Sequence, residues 1–135
     1  MASTRPSAPV LIVDDNAEVR DDFGALLESD GYRVVAASDG REALRLLRSG
    51  GIMPCLILLD LTMPRMSGWD FRAEQARDET LAPIPVVVLS ADPLAMLAKN
   101  TGAAAVLQKP ADPDALLAAV ELHCVNDGAA IPSTA

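Results

Sequence analysis

Short aliphatic runs alternate along the chain with longer segments in which apolar residues recur every three or four positions. Short aliphatic runs are typical of buried strands, whereas the longer period is typical of helices packed on one face. The predicted strands cover about 9–13, 32–37, 53–59, 84–89 and 105–108. Strict alternation of strands and helices predicts an α/β fold built from βαβ units around a parallel sheet.

The same pattern predicts where two strands lie within the sheet. The run 53–59 is apolar on both faces, so we expect it at the centre. The run 32–37 should lie at an edge, because Arg33 and Ser38 interrupt its apolar character.

A predicted helix follows each of the five strands. The first helix covers 17–29, with Phe23 and Leu26 on one apolar stripe, and Gly31 suits a left-handed C-terminal cap. Asn100-Thr101-Gly102 closes the fourth helix early, so this helix should be short. The predicted helix starts after the first are Asp39 with Glu42 as a capping-box partner, Ser67, Asp92-Pro93 and Asp112-Pro113.

Two aromatic residues, Trp69 and Phe71, fall early in the third helix, and we expect them to pack it against the sheet. The fifth helix ends near His123, the single histidine of the chain. A positive charge there would suit the helix dipole, and we assign His123 no part in the chemistry.

The length of 135 residues allows one domain with one core. A composition of 50% hydrophobic and 22% charged residues excludes disorder along the whole chain. We therefore expect one folded domain over residues 9–125, with flexible tails at residues 1–8 and 126–135.

The net charge of −8 and the pI near 4.4 limit the partners of the chain. Nucleic acids and anionic membranes attract basic surfaces, so we expect no direct binding to either. No apolar stretch approaches the roughly 18 residues that would span a bilayer. Proteins and small ions are the expected partners.

The two cysteines, Cys55 and Cys124, are too few for a disulfide framework or a cysteine metal site. Met1 to Pro9 also lacks the apolar core of a signal peptide. The sequence therefore predicts reduced thiols and a cytoplasmic location.

Polar side chains stand at the carboxyl ends of four predicted strands. Asp14 and Asp15 follow the first strand, Asp60 the third, Ser90 the fourth and Lys109 the fifth. Ligands of parallel sheets bind at this edge, near the switch in strand order. Carboxylate oxygens suit Mg²⁺, with Asp15 and Asp60 as direct ligands. Asp60 could also attack a phosphoryl donor, because the metal and the Lys109 ammonium would offset its charge.

Each of these residues has an ordinary structural explanation when taken alone. An acid pair before a helix is usually a cap, an acid before Met63-Pro64 suits a turn, and most lysines are solvated. The joint occurrence of matching groups at four strand ends favours a functional site over four coincidences.

Several short motifs together resemble the receiver domain of two-component response regulators. The resemblance covers about Pro9 to His123 and implies a flavodoxin-like, doubly wound (βα)5 three-layer sandwich with a parallel five-stranded sheet in the order 2-1-3-4-5. The motifs are Leu11-Ile12-Val13-Asp14-Asp15-Asn16, Leu59-Asp60-Leu61-Thr62-Met63-Pro64, Gly68, Val88-Leu89-Ser90-Ala91, Gly102-Ala103 and Lys109-Pro110.

The resemblance implies a phosphorelay role for the acidic residues. Asp60 would accept a phosphoryl group from a histidine of a sensor histidine kinase or a histidine phosphotransfer protein. Asp15, Asp60 and the backbone carbonyl of Thr62 would bind Mg²⁺ directly, and Asp14 would bind it through a water. Such a domain is a signalling module rather than an enzyme, limited to self-catalysed phosphotransfer and autodephosphorylation.

The resemblance also assigns roles to the other strand ends. Lys109 would pair with the phosphoryl oxygens, the Ser90 hydroxyl would respond to their arrival, and the Lys109–Pro110 peptide would be cis. Many relatives carry an aromatic residue three positions before the lysine, where this chain has Val106. Ser90 and Lys109 also lie only 19 positions apart, which shortens the fourth helix. Both departures leave the route of signal transmission open.

Three alternative functions can be weighed on the sequence. A haloacid dehalogenase-type phosphatase needs a second acid two positions after its nucleophile, and Thr62 stands at that position. Nucleotide binding needs a glycine-rich turn after a strand, which the sequence lacks. A receiver-like adaptor that works without phosphorylation remains an alternative. The output is expected to be docking to another protein, by a stand-alone receiver or by one excised from a longer chain.

Overall fold

A computed structural model of the chain describes residues 7–61, 66–91 and 103–124. Within these residues five strands alternate with helices, as the hydrophobic pattern predicts. The elements are β1 (Val10–Val13), α1 (Ala17–Ser29), β2 (Val34–Ala37), α2 (Gly40–Arg48), β3 (Leu56–Asp60), α3 (Gly68–Arg77), β4 (Val86–Ser90), β5 (Ala105–Gln108) and α4 (Pro113–His123).

All neighbouring strands pair in parallel, in the order β2-β1-β3-β4-β5. β3 lies at the centre and β2 at an edge, as predicted. Alternate residues of the strands face two separate hydrophobic clusters, one containing Leu44 of α2 and Phe71 of α3, the other Leu27 of α1 and Leu116 of α4. The predicted flavodoxin-like, three-layer fold is therefore confirmed.

α4 is the fifth helix of the prediction. The predicted fourth helix, which begins at Asp92-Pro93, lies outside the described residues. So do residues 1–6 of the predicted tail at 1–8 and the whole of the predicted tail at 126–135.

Side chains at the predicted positions cap the helices. The Asp39, Ser67 and Asp112 side chains each accept a hydrogen bond from a backbone N–H in the first turn of α2, α3 and α4. The capping box of α2 is displaced by one residue, because the Glu42 carboxylate accepts from the Ser38 N–H at 2.6 Å. This pairing lowers the pKa of Glu42 through hydrogen bonds from the Ser38 backbone and side chain.

Prolines shift two strand starts from their predicted positions. β3 begins at Leu56 rather than Met53, and β4 begins at Val86 rather than Ile84. Pro54 and Pro85 precede these strands and have no N–H to donate to a sheet ladder. Both strands also run one residue further than predicted, so that Asp60 and Ser90 are their last residues.

The expectation for the two aromatic residues of α3 is confirmed for one of them. Phe71 is fully buried against the sheet, but Trp69 is 45% exposed. Residues two positions apart on a helix point in nearly opposite directions, so Trp69 cannot share the buried face of Phe71.

The prediction of two reduced thiols is wrong, because Cys55 and Cys124 form a disulfide with their Cα atoms 5.2 Å apart. Cys55 lies where the chain enters β3, and α4 returns over the sheet from the opposite edge to end beside it. Because 69 residues separate the two cysteines in sequence, no local sequence pattern could predict that they lie close together. Among the described helices none is long and apolar enough to cross a membrane.

Candidate functional site

The predicted site residues that the structure describes, all except Thr62, lie at the carboxyl edge of the sheet. Val13 of β1 pairs with Leu59 of β3. Asp14 follows β1 and Asp60 ends β3, so these two residues lie side by side at the same edge of the sheet. Asp60 pairs with Leu89, which places Ser90 one residue beyond it on β4. The parallel register therefore brings together strand ends that are far apart in sequence.

Three carboxylates form a compact cluster at this edge. Asp14, Asp15 and Asp60 each offer an oxygen, and these oxygens lie within 4.8 Å of one another. Asp14 and Asp60 are buried, whereas Asp15 is exposed at the mouth of the cluster. Mutual repulsion of three such close charges is relieved by a cation, and oxygen donors of this kind suit Mg²⁺.

Lys109 supplies a positive charge on the inner side of the cluster. Its Nζ lies 2.8 Å from Oδ2 of Asp14 and 3.5 Å from Oδ1 of Asp60. Burial opposes the charged form, but the hydrogen bond to Asp14 and the charges of both aspartates outweigh it and raise the pKa of Lys109. Lys109 is therefore an ammonium at neutral pH, rather than the solvated surface lysine of the ordinary explanation.

The backbone holds this ammonium in place. The Lys109 N–H donates to the Ser90 carbonyl at 2.9 Å, which ties the end of β5 to the end of β4. The Lys109–Pro110 peptide is cis, as the resemblance implies. Ser90 itself is buried, and Val106 lies partly buried on β5 opposite Val88.

Asp14 is fixed by contacts beyond Lys109. Its Oδ1 accepts the Asn16 N–H at 2.9 Å, and Asn16 in turn caps α1. The Arg20 guanidinium donates to the Asp14 carbonyl oxygen at 2.7 Å. Sequence reasoning missed Arg20; its position one turn into α1, six residues after Asp14, was the available signal.

Gly68 allows α3 to approach the end of β3. A Cβ atom at this position would lie 2.5 Å from the Asp60 carbonyl oxygen and 2.7 Å from the Leu61 Cα. The Gly68 N–H also donates to the Leu61 carbonyl at 2.9 Å. The chain after Asp60 is thus held by a contact that only glycine permits. Thr62, predicted to supply a carbonyl ligand, lies outside the described residues.

A mainly apolar cleft of about 570 Å³ lies between α1 and the segment after β5. Val19 and Phe23 line it on one side, and Lys109 and Pro110 on the other. The sequence pattern did not predict this cleft, because the Lys109 stem and the α1 stripe come together only in the folded chain.

A family model of the response regulator receiver domain matches residues 10–121, which is most of the chain. The chain belongs to the response regulator receiver family. The receiver assignment agrees with the sheet order and with the acid cluster beside a lysine. It makes the chain a signalling domain of two-component systems, whose receivers interact with sensor kinases or phosphotransfer partners.

The chain matches curated relatives of different length. It is 38% identical over 115 residues to the transcriptional regulatory protein PdtaR of Mycobacterium tuberculosis, covering 84% of this chain and 55% of PdtaR. It is 34% identical to the CAI-1 autoinducer sensor kinase/phosphatase CqsS of Vibrio cholerae, covering 87% of this chain and 17% of CqsS. The chain thus spans about half of PdtaR and a small part of CqsS.

Solved structures show the same fold over nearly their whole length. A response regulator receiver protein from Pseudomonas putida superposes with a TM-score of 0.79 at 31% identity, covering 90% of this chain and 99% of that one. The chemotaxis protein CheY4 of Vibrio cholerae gives 0.76 at 31% identity, covering 86% and 98%.

Proposed function

We propose that Asp60 is the phosphoacceptor of a phosphorelay receiver that works with Mg²⁺. The observation that carries the proposal is the joint placement of three carboxylates and one ammonium around the end of β3. Neither a capping role nor a turn role requires these four groups to converge from three strands.

The reaction is a phosphoryl transfer between a phosphohistidine and a carboxylate. An Asp60 oxygen attacks phosphorus, a P–O bond forms, the P–N bond breaks, and the donor imidazole nitrogen keeps the electron pair. The Lys109 ammonium lies where it can offset negative charge on Asp60 and on the transferred group. Bound Mg²⁺ would supply further positive charge to the phosphoryl oxygens.

The hydrogen bonds of Asp14 argue against this residue as the nucleophile. Both carboxylate oxygens of Asp14 accept short hydrogen bonds, one from the Asn16 N–H and one from the Lys109 ammonium, each within 2.9 Å. Such bonds hold electron density on Asp14 and make its oxygens poorer nucleophiles. Asp60, the last residue of β3, therefore remains the proposed nucleophile, and its Oδ1 lies 3.5 Å from the Lys109 Nζ.

We assign the metal to the same residues. Asp15 and Asp60 would bind Mg²⁺ directly together with the Thr62 carbonyl, and Asp14 would bind it through a water. The exposed position of Asp15 supports this assignment, because Mg²⁺ keeps several waters and binds readily at a mouth open to solvent. Ser90, at the end of β4, would respond to the phosphoryl group through its hydroxyl.

The partners follow from the family and from the charge. We propose a sensor histidine kinase or a histidine phosphotransfer protein as donor and a protein as downstream target, in the cytoplasm. The charge of −8 supports signalling through protein docking rather than direct binding to nucleic acid or membrane. Residues 9–125 would form the receiver domain.

Incubation of the chain with Mg²⁺ and acetyl phosphate, followed by intact mass measurement, tests the function. Wild type should gain one phosphoryl group, and Asp60→Asn should gain none. Asp70→Asn is the matched control, because Asp70 is an exposed aspartate of α3. An unlabelled wild type, or an Asp60→Asn variant labelled as well as the control, would instead support an adaptor that needs no phosphorylation.

A further inference from the structure

A pair of cysteine side chains lies at the opposite edge of the sheet from the acid cluster. Cys55 and Cys124 are the two cysteines of the chain, and they are joined to each other. Cys55 precedes β3, whose last residue is Asp60, so five residues of strand place the sulfur about 17 Å from the acid cluster. The disulfide is therefore chemically separate from the phosphorylation site.

The two sulfurs differ in their surroundings. Cys55 is 4% exposed at the base of the sheet, whereas Cys124 is only partly buried and ends α4. Thiol exchange begins at the sulfur that the attacking thiolate can reach, so Cys124 is the point of entry.

An apolar surface on the Cys55 side of the pair can receive a reductant. A cleft of about 230 Å³ is lined by Cys55, Pro54, Pro83 and Met53, and Met53 is 48% exposed. A disulfide sealed inside a core offers no such approach. Cys55 lines this cleft and Cys124 does not, so the cleft would hold the apolar surface of the reductant while its thiolate attacks the partly buried Cys124 sulfur.

We propose that Cys55–Cys124 is a reversible dithiol/disulfide site whose substrate is a dithiol reductant. A reductant thiolate attacks Sγ of Cys124, the bond to Cys55 breaks, and Cys55 leaves as a thiolate that takes up a proton. The second thiol of the reductant then attacks the mixed disulfide and releases Cys124, which also takes up a proton. Two electrons and two protons pass to the chain, and the reductant leaves as a disulfide.

Reduction has its structural effect at the end of α4. β3 is held on both sides by β1 and β4, so it keeps its place without the disulfide. The last turn of α4 has weaker support, since Leu122 is 76% exposed and the Cys124 N–H bonds only locally to the Val120 carbonyl. Reduction therefore loosens the helix end from which the chain continues beyond residue 124.

Thiol trapping tests the site directly. The full chain is equilibrated without denaturant in oxidised or in reduced dithiothreitol, then alkylated in urea and measured by intact mass. No adduct is expected after oxidation and two adducts after reduction. Two adducts after oxidation would overturn the proposal, because no disulfide forms. The control is a sample reduced after unfolding in urea, which should gain two adducts. If that control gains two adducts but the sample reduced without denaturant gains none, the disulfide of the folded chain is inert and the proposal is overturned.

Amide hydrogen exchange tests the structural effect on the wild-type chain. Exchange should be faster in residues 118–124 of the reduced form and unchanged in α1. Equal protection of residues 118–124 in both forms would contradict the loosening of α4. The Cys55→Ser/Cys124→Ser double variant should show the same amide exchange in oxidised and in reduced dithiothreitol. Asp60→Asn should retain the redox response, so failure of the phosphoacceptor proposal and failure of this one are distinguishable.

Discussion

Replacing Lys109 by methionine removes the one ammonium that contacts the buried carboxylates among the described residues, at nearly unchanged side-chain volume. The Nζ lies 2.8 Å from Asp14 and 3.5 Å from Asp60, and these two carboxylates are almost completely buried. The substitution therefore leaves two close negative charges without their counter-charge.

The magnitude follows from these distances. With an effective dielectric constant of about 20, the two attractions amount to roughly 6 and roughly 5 kcal/mol before desolvation is counted. Desolvation opposes most of this, and removal of one partner of a buried ion pair costs about 3 to 5 kcal/mol in practice. The Lys109 side chain is 21% exposed, so we expect a loss of about 3 kcal/mol in the free energy of unfolding.

Urea unfolding followed by fluorescence measures this loss. Trp69 is the single tryptophan and lies on α3, which packs beside the site, so one probe reports on the transition. A loss of about 3 kcal/mol would lower the melting temperature by about 10 °C in a chain of this size. Mg²⁺ should restore more stability to Lys109→Met than to wild type, because a bound cation replaces the missing charge.

Arg77→Met is the matched control. Arg77 pairs with Glu74 at 3.7 Å, but its side chain is 73% exposed, so its loss should change stability by no more than about 0.5 kcal/mol. If Lys109→Met were as stable as Arg77→Met, or if Mg²⁺ stabilised both variants equally, Lys109 would not offset the charge of the acid cluster.

Three further substitutions test other parts of the structure. Gly68→Ala should lower the melting temperature and slow phosphorylation, because the added Cβ would lie 2.5 Å from the Asp60 carbonyl oxygen. Gly24→Ala is the control: its Cβ would lie 3.7 Å from Val34, so this variant should be as stable as wild type or more stable. Gln75→Leu should cost about 2 kcal/mol in urea unfolding, because the buried amide donates to the carbonyls of Leu81 and Ile84; unchanged stability would contradict this role. Glu42→Gln should lower the melting temperature at pH 7. Because hydrogen bonds from Ser38 lower the pKa of Glu42 below 4.5, the difference should vanish as pH falls through that lowered value, and a constant difference would contradict the reasoning.

Local patterns were sufficient to predict the strands of the sheet and the polar side chains grouped at its edge. Aliphatic runs that end in Asp14, Asp60 and Ser90 carry their polar residue at the strand terminus, and parallel pairing alone brings such termini together. The helix caps were predictable for the same reason, since Ser67 and Asp112 act within their own first turns.

Features that depend on distant parts of the chain were not predictable in this way. The disulfide requires α4 to end beside the start of β3, which follows only from the packed direction of the helix. The buried Gln75 side-chain amide donates to the carbonyls of Leu81 and Ile84, which lie six and nine residues later in the chain. The exposure of Trp69 was available from helical phase, since Phe71 already occupies the buried face of α3.

Peptide mapping of the phosphorylated chain tests the central claim most directly. After incubation with acetyl phosphate, the peptide that contains Asp60 should carry the phosphoryl group when Mg²⁺ is present, and labelling should fall sharply when the metal is chelated. Two results would contradict the claim that Asp60 is a Mg²⁺-dependent phosphoacceptor. One is a phosphoryl group on the peptide that contains Asp14 and Asp15, and the other is labelling of Asp60 that does not change when the metal is chelated.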